Sequence, residues 1–245
     1  MKDPYVYDGT NVLVNIPNMH NMYAVFYDWG NHFLNEKIDF EELDDTPDVM
    51  ILAGSYSDME IAKNVAILLE RMQIEYKLDY ISPIRHAKDF ETYMSKRNNA
   101  KLFIAISGLS ALVAGSVVAL TEKPVIGVPC SKKLDGQDAL LTMANMPPGV
   151  PVGTVGIDNG RNAAIVAGEI LAISDEEIEA NMEYLDRAAN FIRQAKRYAK
   201  KNKMKVGDVI KKSNTDRKLF NELNNAVNKS LGDYYGRNYA LPSNL

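Results

Sequence analysis

The chain has 245 residues, is 46% hydrophobic and carries a formal net charge of −4. That supplies core enough for one α/β domain with appendages and sets aside a mostly disordered chain or a dedicated nucleic-acid binder, while a small anionic ligand needs only one local positive site. The single cysteine, Cys130, excludes an intramolecular disulfide and a cysteine-rich metal site, and no cofactor is expected.

The opening "MKDPYVYDGT" has no basic segment followed by an apolar run, so no signal peptide is expected. Residues 1–46 form an N-terminal extension rich in Asn, Tyr and Met, with Trp29 and with His20 and His32 in no metal-ligand pattern. Residues 47–173 alternate between two periodicities. "VMILAG" (49–54) is a continuous apolar run ending at glycine, as in a buried parallel strand. Asp58 is placed to cap a helix with the stripe Ile61, Val65, Leu68, Leu69 and Met72. "IEYKLDYI" (74–81) alternates with period two, and residues 89–99 read as a polar surface helix. "KLFIAIS" (101–107) and "PVIGVPC" (124–130) are buried-strand runs, with a small-residue helix over 109–120 between them. "VPVGTVGI" (150–157) reads as a fifth strand and 160–173 as the helix after it. Residues 174–245 form a helical C-terminal extension. Its long first helix, 174–202, opens on a capping box of Ser174 and Glu177 and carries the stripe Ile178, Met182, Leu185, Ala189 and Ile192. The apolar stretch 102–122 is interrupted by Gly108, Ser110, Gly115 and Ser116, so no membrane span is expected and the protein is placed in the cytoplasm.

This alternation implies an α/β fold with a parallel sheet of about five strands, and ligands of such sheets bind beyond the carboxyl ends of the strands. In the first strand-end loop Gly54 lets the backbone come close to a ligand, Ser55 and Ser57 offer hydroxyls, and the helix from Asp58 turns free N–H groups toward the loop. That set suits a phosphate, with Asp58 free to bind a ribose hydroxyl. Arg85, in the loop "ISPIRHA" with Ser82 and His86, offers a planar fork matched to phosphate oxygens. Ser107 and Gly108, at the third strand end, complete the candidate substrate-binding residues.

"VMILAGSYSDMEIAKNVAILLERMQIEY", "ISPIR", "PVIGVPCSKKLDGQDALLTMANMPPGVPVGTVGI" and "RNAAIVAGEILA", in this order over residues 48–173, resemble the PurE family. That family comprises N5-carboxyaminoimidazole ribonucleotide mutases and related aminoimidazole ribonucleotide carboxylases of purine synthesis. The resemblance implies a three-layer flavodoxin-like domain that assembles as a homo-oligomer, commonly an octamer. It also implies Ser55, Asp58 and Arg85 as binders of a phosphoribosyl group, and a ribonucleotide with CO2 or bicarbonate as partners. The family's second loop reads Ser-Ala-His-Arg, and its histidine moves the proton at the ring carbon; here Ile84 takes that place. Leu112 stands where the bacterial mutases have a histidine in the third loop. His86, two residues beyond Ile84, is then the candidate catalytic residue. Three readings stay open: an enzyme acting on aminoimidazole ribonucleotides, the same scaffold acting on another ribonucleotide, and a non-catalytic nucleotide-binding paralog.

Overall fold

The computed structural model describes residues 5–7, 11–14, 25–27 and 47–235. His20, Trp29, His32 and the final ten residues lie outside that set. Three short strands near the start, β1 (Tyr5–Tyr7), β2 (Asn11–Val14) and β3 (Val25–Tyr27), pair antiparallel in that order.

The central sheet comes from the apolar runs. β4 (Val49–Ala53), β6 (Leu102–Ser107) and β7 (Val125–Pro129) are buried along their whole length, which explains their continuous hydrophobicity: helices cover both faces. β5 (Tyr76–Tyr80) forms one edge, burying Tyr76 and Leu78 and leaving Lys77 and Asp79 half-buried. At the other edge β8 keeps only Gly153–Thr154 of the expected 150–157. Pro151 has no N–H to give to a ladder, and pairing with β7 is confined to Gly153 opposite Ile126 and Thr154 opposite Gly127. All pairings are parallel in the order β5-β4-β6-β7-β8, with Val49 opposite both Tyr76 and Leu102.

One face is covered by α1 (Met59–Arg71) and α5 (Gly160–Ala172), which meet closely: a Cβ on Gly160 would lie 2.7 Å from the Ile61 carbonyl oxygen. The other face carries α2 (Ala87–Arg97), α3 (Leu112–Val118) and α4 (Gln137–Ala144) over Met50, Leu52, Phe103 and Ala105. α2 is less of a surface helix than its polarity suggests. It buries Phe90, Tyr93, Met94 and even Arg97, whose guanidinium pairs with Asp79 at 3.5 Å while the Tyr93 hydroxyl donates to the same carboxylate at 2.6 Å.

α6 (Glu176–Lys201) is capped differently from the expected box. Asp175 Oδ1 accepts from the N–H groups of Glu177 and Ile178, both at 3.1 Å, while the Ser174 hydroxyl turns back toward Leu171 O. A carboxylate one residue nearer the helix displaces a hydroxyl as cap because it accepts two bonds and complements the positive helix end. The contacts divide the chain into two compact units, Met1–Glu179 and Ala180–Leu245. In the second unit, α7 (Val206–Ser213) and α8 (Arg217–Tyr235) share a small core with α6: Ala195, Ala199, Val209, Leu219 and Leu223, with Phe191 packed against it. The row facing this core therefore runs 191-195-199 at i+4 spacing, with Phe191 partly buried. Ala189 and Ile192, members of the stripe read from sequence, are exposed.

Candidate active site at the carboxyl edge of the sheet

The chain leaves β4 toward one neighbour, β5, and later returns on the other side as β6. In open sheets of this kind ligands bind at such a change of direction, beyond the carboxyl ends of the two strands, here β4 and β6. Gly54 and Ser107 stand there. A Cβ on Gly54 would lie 2.8 Å from Val113 Cγ2 and 3.1 Å from Ser107 Cβ, so glycine lets the two strand ends close on each other. Gly54 N–H donates to Ile106 O at 2.9 Å. Ser107 is buried, yet its hydroxyl meets no hydrogen-bond partner among the described residues. A buried hydroxyl without a partner is costly and uncommon.

The first loop turns on its own hydroxyls. Ser55 Oγ accepts from Ser57 N–H at 3.1 Å and lies 2.6 Å from Ser57 Oγ, holding a short 3-10 turn over Tyr56–Asp58. Asp58 does not cap α1: its carboxylate makes no bond to the helix N–H groups. It is buried and faces Lys132, whose Nζ lies 3.3 Å from Oδ1. Burial raises the Asp58 carboxyl above its ordinary value, and Lys132, the Cys130 thiol and the Ser57 hydroxyl pull against that shift.

The second loop crosses to the first. Arg85 Nη2 donates to Gly54 O at 2.5 Å, and the guanidinium carbon lies 5.7 Å from the centroid of the Tyr80 ring. The loop is braced internally: Ser82 Oγ accepts from Arg85 N–H at 3.4 Å, and His86 N–H donates to Ser82 O at 2.8 Å. His86 Nδ1 accepts the N–H of Ser82 at 3.0 Å, and its ring meets the edge of Tyr80. Burial, then the neighbouring Arg85, lowers the His86 pKa, with Asp89 opposing. The imidazole is therefore held neutral with its proton on Nε2. Ile84, in the same loop, is 61% exposed.

The third loop follows Gly108 with two left-handed residues, Leu109 (φ 56°) and Ala111 (φ 48°), which delay α3 to Leu112 rather than 109. The fourth holds the residues that the sequence did not single out. Lys132 Nζ donates to Ser57 O at 2.7 Å in addition to its pairing with Asp58. Its stem lies across Gly108, where a Cβ would come within 2.5 Å of Lys132 Cγ. Ser131, one residue before, is held by Asp158: its N–H donates to Oδ1 at 2.9 Å and its hydroxyl to Oδ2. The only trace of this in sequence was "CSKK" at a strand end, one cation pair among 28 Lys and Arg residues. Of the predicted residues, Ser55, Ser57 and Asp58 are thus linked within the first loop and Arg85 reaches that loop at Gly54 O, with Ser82 behind Arg85 and Ser107 beside Gly54. His86 makes its contacts with Ser82 and Tyr80.

An open parallel sheet with a hydroxyl-rich loop, a guanidinium and an ammonium at its switch point defines an α/β protein of flavodoxin-like fold. Residues 48–190 match the AIR carboxylase family, and the chain belongs to that family. A "Probable N5-carboxyaminoimidazole ribonucleotide mutase" of Methanothermobacter thermautotrophicus is 58% identical over 149 residues, 61% of this chain and 44% of that protein. The N5-carboxyaminoimidazole ribonucleotide mutase of Methanocaldococcus jannaschii is 46% identical over 140 residues, 57% of this chain and 88% of that protein. The crystal structure of a PurE2 variant from Treponema denticola superimposes with a TM-score of 0.54 at 29% identity, covering 59% of this chain and 92% of that one. The match covers less than half the length of two curated relatives, 44% of one and 41% of the other.

Proposed function

We propose that the protein binds an aminoimidazole ribonucleotide by its phosphoribosyl group at the carboxyl edge of the sheet and transfers or adds a carboxylate at its ring, a step of purine biosynthesis. The observation that carries this reading is Arg85 seated on Gly54 O at 2.5 Å, which brings a guanidinium to the mouth of the serine loop. Ser55, Ser57 and Arg85 would hold the phosphate, with Ser82 bracing Arg85; Asp58 would take a ribose hydroxyl; Ser107 and Gly108 would line the base. The relatives named as mutases support the reaction type.

The chemistry needs a pocket that retains CO2 and a group that removes the proton from the tetrahedral ring carbon. His86 is the one histidine in these loops. To accept a proton it must release the Ser82 N–H from Nδ1, a movement that ligand binding at Ser82 would have to drive. A second reading therefore stands beside the first: a ribonucleotide is bound without turnover, or a different ribonucleotide is used. Ile84 and Leu112, both exposed and unable to carry a proton, favour it.

Calorimetry with aminoimidazole ribonucleotide, followed by a turnover assay with bicarbonate, separates them. Binding with turnover supports the first reading, binding alone the second, and no binding removes both. Arg85→Ala is expected to weaken binding by about 1.5–3 kcal/mol, the scale of a hydrogen bond to a charged group. His86→Gln should lower turnover by about 10²–10⁴-fold with affinity kept; undiminished turnover would take the proton step away from His86.

A further inference from the structure

The first loop is gripped from both sides of the sheet. Arg85 reaches Gly54 O from the β5 side, and Lys132 reaches Ser57 O from the β7 side. Lys132 has to pass the third loop to do so, and Gly108 is the gap it uses. Its approach is fixed from behind by Asp158 through Ser131. This is a built path, not a surface lysine resting on the nearest acid. It ends on a carboxylate whose side chain is 2% exposed, while the lysine side chain is 31% exposed.

We propose that Lys132 is a positioning residue: it keeps Asp58 ionised, so that the floor of the site is a hydrogen-bond acceptor and selects a ligand hydroxyl or amino group there. This deepens the reading under Proposed function and rests on it for the ligand. A buried carboxylate without a cation takes up a proton instead of holding its charge, and it then becomes a donor. The groups facing Asp58 are few. Lys132 comes from the loop after β7, the Cys130 thiol from just beyond the end of β7, and the Ser57 hydroxyl from its own loop. Asp158 acts on Cys130 and Ser131, and Arg85 spends its contact on Gly54 O. Lys132 is thus the only cation holding the charge on Asp58 among the described residues. The partner it secures suits a ribose, whose hydroxyls donate, and repels a second anionic group.

The test has a ligand-free arm and a ligand arm. Carboxyl carbon-13 NMR, with the Asp58 signal assigned by its loss in Asp58→Asn, is titrated in the wild type, Lys132→Met and Lys132→Arg. Asp58 is expected to titrate about 1–3 units higher in Lys132→Met and near the wild-type position in Lys132→Arg. Affinity for aminoimidazole ribonucleotide is then measured from roughly pH 5.5 to 8.5. Lys132→Met should bind about tenfold more weakly near pH ~6, and its affinity should converge on wild type as Asp58 ionises toward pH ~8.5. In an Asp58→Asn background the added cost of Lys132→Met should vanish. An unchanged Asp58 titration overturns the proposal, as does a loss of affinity that is equal at every pH and persists beside Asp58→Asn, which marks a structural role. Failure of the wild type to bind the ribonucleotide would remove the proposed function and the ligand half of this inference, while the NMR titration would still decide whether Lys132 sets the charge.

Discussion

Asp58 shows how one side chain changes meaning between sequence and structure. Aspartate two residues after a Ser-Tyr pair at the head of a helix reads as a cap, and local rules favour it there. The fold instead gives the turn to Ser55 and buries Asp58 against a lysine 74 positions later in the chain, a partner that no local pattern could supply. Its raised carboxyl pKa has a calculable sign. Relative to the unfolded chain, folded Asp58 holds its proton to higher pH, so stability is fully present below the ordinary value near 3.8 and declines as pH rises through the raised one. Asp58→Asn should therefore lose that decline. Thermal melts of the two proteins should diverge between roughly pH 4 and 7; parallel curves would show that Asp58 does not titrate abnormally. Cys130 makes the neighbouring test. Its thiol is fully buried, and burial followed by the charge of Asp58 pushes its pKa well up. It should resist a thiol reagent at pH ~8 in the folded protein and react once the chain is denatured; fast labelling without denaturant would contradict the packing.

At the level of elements, the strands and long helices were readable because period and apolar content decide them. β4, β6 and β7 stand where continuous runs placed them, and α1 and α5 where period 3.6 did. What escaped were features set by backbone conformation and by distant partners. Leu109, Ala111, Leu134, Asp135 and Asp158 are all left-handed without being glycine, and all lie in loops at the carboxyl edge. A left-handed conformation at such residues costs about 1–2 kcal/mol, and strain of this kind gathers at functional sites. Leu109 is exposed, so its side chain contributes little packing. Leu109→Gly should stabilise the fold by about 0.5–1 kcal/mol, after the added freedom of the unfolded chain is subtracted. Chemical denaturation measures this directly, and a loss of stability would mean that Leu109 holds the loop by contacts instead.

For the whole molecule, the order of elements along residues 47–173 was enough to foresee a layered α/β sheet, because sheet topology constrains how strands and helices can be connected. Assembly is a different matter. Ile84, Leu109, Leu112 and Leu134 project exposed apolar surface from the second, third and fourth strand-end loops, and Tyr56 does so from the first. Such a rim favours contact with further copies, and we propose a closed homo-oligomer, with eight copies as the number implied by family likeness. Light scattering at micromolar concentration should give a multiple of 27.3 kDa; a particle of one chain's mass would refute it.

The grip of Lys132 on Ser57, across 75 positions of sequence, has a consequence for folding. No contiguous fragment shorter than the span from Gly54 to Asp158 contains the whole constellation, and parallel pairings of this separation form late because loop closure must precede them. A ribonucleotide bound as proposed, only by the finished site, would act as a thermodynamic lock on the sheet that carries it. At a hundred times its dissociation constant it would add about 2.7 kcal/mol to the free energy of unfolding. Ligand-induced rise in melting temperature then reports the integrity of every strand at once, and a lesion in β7, far along the chain from the serine loop, would silence it as surely as one in the loop itself.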